Sequence, residues 1–365
     1  MTLAKKKGHT SKVNKLFIIL IVIGLPLSII GSIFHWSAVM MFLIYCLTII
    51  ALAGFIGRAT ESLAIVMGPR IGGLLNATFG NAVELIISIF SLKAGLVGIV
   101  LASLTGSVLG NLLLVAGLSF FVGGLKYKRQ SFNVNDARHN AGLLIFAVIV
   151  AFVIPEVFTH TMDNQKTMGL SIGISIVLIL LYLSMLLFKL VTHRGVYQNN
   201  DEREIRDQES EEPEWSKKKA VIILALATIA VAYVSENLVH TFSAVGETFG
   251  WTELFIGIII VAIVGNAAEH ASAVIMAFKN KMDVAVEIAV GSTLQVAMFV
   301  APVLVLVSLF FPVSMPLVFT WPELISMVTA VLLVIMLTVD GDSNWFDGLV
   351  LFAAYVIMAI GFYML

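Results

Sequence analysis

The sequence predicts an all-α integral membrane protein with eleven transmembrane helices, arranged as one extra N-terminal helix followed by two inverted repeats of five helices each. Three observations lead to this fold class: the composition, the number of apolar segments, and a pair of motifs that recurs at a fixed interval. Of the 365 residues, 59% are hydrophobic and only 12% are charged, and the mean hydropathy is +1.00. These values lie outside the range of soluble globular chains.

Apolar runs of about 20 residues match the thickness of the bilayer core, and they define the helices in order. The first run follows a basic start, as a signal peptide does, but it lacks an Ala-x-Ala-like cleavage site before His35, so we interpret it as a helix. We predict spans at residues 15–33, 36–58, 70–92, 95–124, 138–159, 169–192, 218–242, 251–278, 284–312, 321–339 and 345–365.

Basic residues predict the orientation, because cytoplasmic loops next to spanning helices are enriched in Lys and Arg. If the N-terminus is cytoplasmic, only Lys93 and Lys166 of the 22 Lys and Arg residues lie outside. We therefore expect a cytoplasmic N-terminus and an external C-terminus. The short N-terminal segment favours a bacterial plasma membrane.

An internal repeat appears when the sequence is shifted by 185 positions (80 + 185 = 265) without any gap. Gly-Asn-Ala-Val-Glu at 80–84 then aligns with Gly-Asn-Ala-Ala-Glu at 265–269, and Gly-Ser-Val-Leu at 106–109 aligns with Gly-Ser-Thr-Leu at 291–294. The predicted orientation makes the two Gly-Asn helices run in opposite directions. Inverted repeats are typical of secondary transporters, which bind their substrate near the bilayer midplane where the repeats meet.

The repeat divides the chain into four predicted parts. Residues 1–34 are an N-terminal cytoplasmic segment with the extra helix, 35–195 the first five-helix repeat, 196–216 an acidic cytoplasmic linker, and 217–365 the second repeat. The linker has eight acids between Asp201 and Glu214; it is either a solvated connection or a short charged helix that senses calcium. Lys217 to Lys219 are expected to contact lipid headgroups.

Glu84 and Glu269 are the predicted ion-binding and proton-exchanging acids. An ionised carboxylate in the hydrocarbon region costs at least roughly 2.5–3.5 kcal/mol, so an acid there normally faces a polar interior. The preceding Gly80-Asn81 and Gly265-Asn266 are places where a helix is expected to break or loosen and free carbonyl oxygens. Hard cations such as Ca²⁺ take six to eight oxygens, which carboxylates, amides, carbonyls and water would supply.

Other polar residues of the motif helices are candidates for the same cavity. Ser107, Ser292 and Gln295 would contribute hydroxyls and an amide, although serine in a membrane helix also commonly bonds its own backbone or allows close packing. Asn111 lies one position after Gly110, the counterpart of Gln295, and offers a comparable amide.

Three further side chains have two interpretations each. His270 follows Glu269 directly, about 100° round the helix, and is either a proton relay or a packed histidine. Glu61 and Glu236, near the ends of the first helix of each repeat, are either gating or proton-entry groups or members of solvated or interhelical ion pairs. Arg58 is close enough in sequence to be such a partner.

The two pairs of motifs resemble the signature regions of the calcium/proton antiporters, a branch of the calcium:cation antiporter superfamily. The resemblance rests on GNAVELIISIFSLKAG with GSVLGNLLLVAGLSFFVGG and on GNAAEHASAVIMAFKNKMD with GSTLQVAMFVAPVLV, and it runs over nearly the whole chain. It implies an exchanger that moves Ca²⁺ against protons, with Glu84 and Glu269 as central acids and no cofactor. Glu287 stands where many eukaryotic members have a small residue, so it is a candidate for an additional protonatable site.

Proton coupling is also expected from the two acids themselves. Without a divalent ion, two close carboxylates in a low-dielectric cavity repel each other and are desolvated, and both effects favour protonation. Ca²⁺ and about two protons would then compete for one site.

Rival functions are a sodium-driven calcium exchanger, whose motifs resemble Gly-Thr-Ser-Leu-Pro-Glu, and a passive cation channel, which usually builds its pore between subunits. An intramembrane enzyme is disfavoured, because the chain has neither His-Glu-x-x-His nor Gly-x-Ser-x-Gly. Lipids are expected partners, and a homo-oligomer is left open.

The orientation predicts the result of a reporter-fusion experiment. A reporter fused after Lys128 should be cytoplasmic and one fused after Lys166 external, because these residues lie in loops on opposite sides of the predicted bundle. The opposite result at either position would contradict the inverted repeat.

Overall fold

The computed structural model describes residues 3–192 and 213–365 of the chain. Its helices are α1 (Leu3–Ile33), α2 (Ala38–Met67), α3 (Pro69–Phe79), α4 (Ala82–Lys93), α5 (Val97–Tyr127), α6 (Val134–Thr159), α7 (Asn164–Thr192), α8 (Lys217–Val239), α9 (Phe242–Phe249), α10 (Glu253–Phe278), α11 (Met282–Ser308), α12 (Trp321–Thr338) and α13 (Trp345–Met364). Most of the predicted acidic linker lies outside the described residues.

Ten helices in the described parts of the chain are long and apolar enough to cross a membrane. The remaining predicted span, 70–92, which is the third in chain order, is present as two short helices, α3 and α4, separated at Gly80 and Asn81. Asn81 leaves the helical conformation with φ −101° and ψ 20°. The predicted helix break is therefore present in the first repeat, and the fold is that of an all-α membrane protein.

The corresponding break at Gly265 and Asn266 was wrongly predicted, because α10 is continuous through both residues. The helix is loosened earlier instead, in a π-helical segment over Ile256–Val261. The second repeat is interrupted in its first membrane helix, between α8 and α9, where the equivalent α2 is continuous. The two repeats thus share a sequence pattern but differ in where their helices are broken.

Two other π-helical segments follow the Gly-Ser motifs at matching places. One covers Gly110–Val115 in α5 and the other covers Val296–Val300 in α11. Positions 111–115 correspond to 296–300 under the shift of 185 residues (111 + 185 = 296). Because π-bulges often occur at functional sites, their recurrence at this point marks both helices.

The buried apolar side chains form two clusters. The larger cluster is built mainly from α5, α6, α7, α11, α12 and α13, whereas the smaller one is built mainly from α2, α4, α8 and α9. Val83 and Ile87 on α4 belong to the smaller cluster, and Leu92 on the same helix belongs to the larger. The motif helix α4 therefore contributes to both clusters.

A short antiparallel ladder, which the sequence did not predict, joins two loops on one side of the bundle. Strand β1 (Arg129–Ser131) follows α5 and pairs with β2 (Asp342–Asn344), which precedes α13. The Arg129 guanidinium donates a hydrogen bond to the Asp342 carboxylate across the ladder. The first repeat is thereby fastened to the last helix of the second.

Helices α5 and α10 cross at backbone contact through two glycines. A Cβ on Gly257 would lie 2.5 Å from Ala102 Cβ and 2.6 Å from the Ile99 carbonyl oxygen, and one on Gly106 would overlap the backbone of Ile258. Small residues permit this approach, as they do at many membrane helix interfaces.

Gly106→Ala should therefore destabilise the protein. Overpacking of this kind costs about 1–3 kcal/mol, and here a backbone would have to move. We expect thermal unfolding in detergent to occur several degrees lower than in the unmodified protein. Gly173→Ala is the matched control, because a Cβ there would have no neighbour within 4 Å; equal unfolding temperatures for both variants would contradict the close crossing.

Candidate ion-binding site

The break between α3 and α4 places Glu84 in the first turn of α4. The N-terminus of a helix carries partial positive charge and favours a carboxylate. Glu84 is 0% exposed, and its Oε1 accepts a hydrogen bond of 2.5 Å from the Ser107 hydroxyl on α5. The two motifs of the first repeat therefore meet directly.

Glu84 and Glu269 lie at the crossing of their two helices, each against the glycine of the other motif. A Cβ on Gly80 would lie 3.0 Å from Glu269 Oε1, and one on Gly265 would lie 3.3 Å from Glu84 Cβ. The paired residue numbers have a constant sum (80 + 269 = 84 + 265 = 349), which means that the two helices run antiparallel. This is the inverted arrangement predicted from the sequence, observed at the level of individual side chains.

The asparagines of the two motifs hydrogen-bond across the repeats. Asn266 donates from Nδ2 to the Ser107 hydroxyl at 2.9 Å. In the equivalent contact, the Ser292 hydroxyl donates to Asn81 Oδ1 at 3.3 Å. Both contacts join a motif asparagine to the serine one helix further on in the other repeat, so the two halves of the site are related by the internal symmetry.

Where the repeats have diverged, the polar contacts differ as well. Asn81 donates from Nδ2 to Gln295 Oε1 at 2.7 Å, whereas the counterpart of Gln295 is Gly110. The neighbouring Asn111 supplies an amide in the first repeat, and its Nδ2 donates a hydrogen bond to the Ser292 hydroxyl at 3.0 Å. All the residues predicted to support the site are thus brought together.

Several buried polar atoms at this crossing have no hydrogen-bond partner in the described protein. They include the second carboxylate oxygens of both acids, Glu84 Oε2 and Glu269 Oε2, and the amide oxygen Asn266 Oδ1. An unpaired buried acceptor costs free energy unless something satisfies it. Oxygens of this kind, with two carboxylates among them, match the ligands of a hard divalent cation.

The two sides of the site differ in exposure. On the side formed by α5, residues Ala102 to Gly110 are all buried, whereas on α11 Glu287 is exposed and Gly291 and Gln295 are half-buried. Glu269 is also half-buried, in contrast to the fully buried Glu84. The crossing is therefore approachable from the α11 side and sealed on the α5 side.

Other predicted residues lie at or beyond the edge of this site. His270 is half-buried, and its ring faces Gly110, where a Cβ would lie 3.6 Å from its Cε1; its Nε2 is buried without a hydrogen-bond partner. Glu236 forms an ion pair of 2.8 Å with Lys93, which links α8 to the end of α4. The interhelical-pair interpretation of Glu236 therefore agrees with the structure.

Glu61 lies on α2 near Arg58, and the two charges interact. Arg58 also approaches Glu214 at 3.4 Å and packs over the Phe55 ring.

Glu323 is a buried acid that the sequence analysis missed. It is 2% exposed and accepts hydrogen bonds from Thr320 N at 2.8 Å and from Thr105 Oγ1 at 3.1 Å. Its signal was the Thr-Trp-Pro-Glu sequence at the start of α12, a capping box. Glu323 fastens α12 to the sealed segment of α5.

A single membrane-embedded chain with two acids facing each other across an inverted repeat defines a protein of the secondary cation transporter class. The chain belongs to the sodium/calcium exchanger protein family, whose sequence profile matches residues 37–191 and 219–364.

Individual relatives agree with this assignment. The chain is 73% identical over 352 residues to the Ca²⁺/H⁺ antiporter ChaA of Bacillus subtilis, covering 96% of this chain and 100% of the relative. Its structure is similar to that of native YfkE, with a TM-score of 0.85, 68% identity and coverage of 96% and 100%. The H⁺/Ca²⁺ exchanger CAX shares the fold, with a TM-score of 0.70 at 17% identity over 96% of this chain and 92% of that one.

Glu84→Gln and Glu269→Gln, made singly, test the two acids. Glutamine keeps the shape and one acceptor oxygen but cannot ionise, so each change removes one negative charge and one exchangeable proton. We expect calcium-dependent proton movement to be lost in both variants while expression and thermal stability are retained, because a neutral amide is cheaper in the membrane than a carboxylate.

The control for these variants is Glu247→Gln, at an exposed position of α9. It should exchange ions at the rate of the unmodified protein. Exchange at a near-normal rate by either central variant would show that the acid concerned is not an obligatory ligand.

Proposed function

We propose that the chain is a secondary active transporter that exchanges Ca²⁺ for H⁺ by alternating access, with both ions competing for Glu84 and Glu269. The observation that carries the proposal is the pair of acids, related by the internal repeat, at the α4–α10 crossing. Each of them has one carboxylate oxygen that is buried without a hydrogen-bond partner. Two relatives, both Ca²⁺/H⁺ antiporters that are 73% and 43% identical over nearly the whole chain, support the same exchange.

The ligands available to Ca²⁺ are all oxygens. Two carboxylates would balance its charge, and Asn266 Oδ1, together with hydroxyls of Ser107 and Ser292 and with water, would fill further positions. Among the described residues there is no group of three or more His, Cys, Asp or Glu side chains placed to hold a metal. The site therefore offers two negative charges and neutral oxygens, which is a moderate rather than a maximal charge for a divalent ion.

Protons compete with Ca²⁺ because the same oxygens must be neutralised when the cation leaves. Each carboxylate is desolvated and lies near the other, and both conditions favour its protonated form once Ca²⁺ is absent. A protonated Glu84 can keep its Ser107 contact, since a carboxylic acid retains acceptor capacity and gains one donor. Exchange of one Ca²⁺ for about two protons then leaves the site neutral in either loaded form.

Coupling of the two ion fluxes depends on which forms of the site can change access from one side of the membrane to the other. Moving the site between open and closed surroundings is easiest when it carries no net charge, so the Ca²⁺-loaded and the protonated forms can interconvert while the empty dianion cannot. The boundary between the larger and smaller apolar clusters, on which Glu84 lies, is where such a movement would take place.

The orientation and assembly of the protein are part of the proposal. We place the N-terminus in the cytoplasm and the chain in a bacterial plasma membrane, so the open α11 side faces the cytoplasm. The acidic linker is proposed to adjust the calcium or pH dependence, and its end is fastened near α2 by the Glu214–Arg58 pair. His270 and Glu287 are proposed to assist proton movement, and a homo-oligomer is compatible with this scheme.

A sodium-driven calcium exchanger is the second candidate, because the family profile carries that name and the sodium-calcium exchanger NCX_Mj shares the fold, with a TM-score of 0.56 at 18% identity. The chain has Gly-Asn-Ala-Ala-Glu-His at its second motif, which does not match the Gly-Thr-Ser-Leu-Pro-Glu-like motif expected of a sodium-driven exchanger. A passive channel would need neither a closed side nor an inverted pair of acids.

Flux into proteoliposomes separates the three functions. A pH gradient that is acidic inside should drive ⁴⁵Ca²⁺ uptake against its concentration gradient in sodium-free buffer, and nigericin in the presence of potassium should abolish it. Uptake only with a sodium gradient would favour the sodium exchanger, and flux only down the calcium gradient would favour a channel.

A further inference from the structure

A row of buried hydroxyls leads away from Glu84 along α4. Ser88 and Ser91 follow Glu84 by four and seven residues (84 + 4 = 88; 84 + 7 = 91), so all three side chains lie on one face of the helix. Both serines are 1% exposed. Their hydroxyl oxygens have no hydrogen-bond partner in the described protein, and the same is true of Glu84 Oε2. Three unsatisfied polar groups are therefore aligned inside the bundle.

Helix α5 adds two hydroxyls to this row. A short turn joins α4 to α5, so the two helices run antiparallel, and the Glu84–Ser107 hydrogen bond gives their register. Ser88 and Ser103 are level in that register (84 + 107 = 88 + 103 = 191). Ser103 is 1% exposed and lies on the same face of α5 as Ser107, four residues on. We call Ser88, Ser91, Ser103 and Ser107 the hydroxyl seam.

The unsatisfied hydroxyls of Ser88 and Ser91 differ from those of other serines and threonines in the bundle. Such side chains commonly donate to the carbonyl oxygen one helical turn earlier, and Thr48, Ser175 and Thr293 do so. Ser88 and Ser91 make no such bond. Because a buried hydroxyl without a partner costs free energy, two of them beside an acid indicate that hydrogen-bonding molecules enter this row during transport.

Packing of the helices does not explain the seam, because the second repeat lacks it. Under the shift of 185 residues, Ser88 corresponds to Ala273 and Ser103 corresponds to Ile288 (88 + 185 = 273; 103 + 185 = 288). The equivalent helices of the second repeat are thus packed with apolar side chains at these positions. The seam belongs to the sealed α5 side, whereas the other side of the site is approachable along α11.

The far end of the seam reaches the protein surface. The Ser91 carbonyl oxygen accepts a hydrogen bond of 2.9 Å from Leu96 N, and the turn residues Ala94 and Gly95 between them are exposed. The nine steps from Glu84 to Lys93 (93 − 84 = 9) rise about 14 Å, which is about half of the bilayer core. In the proposed orientation this end is external, so the seam connects the site to the external surface.

We propose that the hydroxyl seam conducts protons between Glu84 and the external solution, on a route that Ca²⁺ does not take. The inference rests on the proposed function, in which Glu84 takes up a proton when Ca²⁺ leaves. Proton transfer needs only a chain of hydrogen bonds, and one water molecule between two hydroxyls spans about 5.6 Å, close to the pitch of about 5.4 Å of a helical turn. Ca²⁺ needs six to eight oxygens around it, which four buried serines do not supply.

Each hydroxyl of the seam accepts one proton and passes on another, so one proton moves and every serine is left unchanged. The last acceptor is Glu84 Oε2, because Oε1 already accepts the Ser107 hydroxyl. Ca²⁺ bound between the acids would occupy Oε2, so the seam delivers a proton only to a site that Ca²⁺ has left. Glu269 is half-buried and exchanges its proton on the α11 side. The two acids are therefore protonated from opposite sides of the membrane.

A variant that combines Ser88→Ala with Ser91→Ala tests the seam. Exchange in proteoliposomes, driven by a pH gradient, should fall about fivefold or more, because the positioned proton carriers are lost. The unfolding temperature should not fall, since alanine is favourable in a helix and two unsatisfied hydroxyls are removed. Calcium affinity in a calorimetric titration should stay within twofold, because neither serine is a ligand.

Ser119→Ala is the matched control. Ser119 is also 1% exposed with an unsatisfied hydroxyl, and it lies on α5 twelve residues beyond Ser107 (119 − 107 = 12), outside the seam. Its exchange rate should stay within twofold of that of the unmodified protein.

The solvent isotope effect distinguishes a lost proton route from a packing defect. When proton transfer limits the rate, the ratio of the exchange rates in H₂O and D₂O increases. This ratio should rise about 1.5-fold or more in the double variant, and it should be unchanged in Ser119→Ala.

Three results would overturn the proton route. These are exchange by the double variant within twofold of the normal rate, slower exchange with an unchanged isotope ratio, and weakened Ca²⁺ binding, which would make the serines ligands. If the unmodified protein itself did not exchange Ca²⁺ for protons, the proposed function would fail, and not the seam alone.

Discussion

The structure depends on keeping two carboxylates inside a membrane, at one crossing of two antiparallel helices. Glu84 is completely buried and lies against Gly265, while Glu269 lies against Gly80. An isolated charge there would be expelled or neutralised, so the surrounding residues have to supply helix dipoles, hydroxyls and amides. The broken helix at α4, the Ser107 contact and the paired asparagines all meet this requirement.

The internal repeat explains how one chain provides such surroundings twice. Each repeat contributes one acid and one asparagine to the crossing and one serine from the following helix, and π-helical segments recur just after both Gly-Ser motifs. The repeats are nevertheless in different conformations, since α3 and α4 are separate where α10 is continuous. A symmetric sequence in an asymmetric structure is what a transporter requires if it alternates between two states that are related by the pseudo-two-fold axis of its repeats.

Much of the fold and of the central site could be predicted because membrane insertion and an internal repeat leave strong patterns in a sequence. Apolar length located the spans, and the recurrence of the motifs located Glu84 and Glu269 together with their supporting residues. The break at Gly265 was wrongly predicted, because a Gly-Asn pair permits a helix to break but does not require it. The tertiary packing that decides between the two is not visible in one sequence. The β1–β2 ladder and the burial of Glu323 were missed for a related reason, since both depend on segments far apart in the chain.

If Ca²⁺ and protons occupy the same two carboxylates, protons must be released when Ca²⁺ binds, and their number can be counted. Calorimetric titration of the purified protein with Ca²⁺, in buffers of equal pH but different ionisation enthalpy, gives this number without any transport step. We expect release of about two protons per Ca²⁺ at a pH where the empty site is protonated, because each carboxylate must ionise to bind the cation. The number of protons released per Ca²⁺ should fall as the pH is raised. Stoichiometric Ca²⁺ binding with no proton release at any pH would contradict a site that the two ions share.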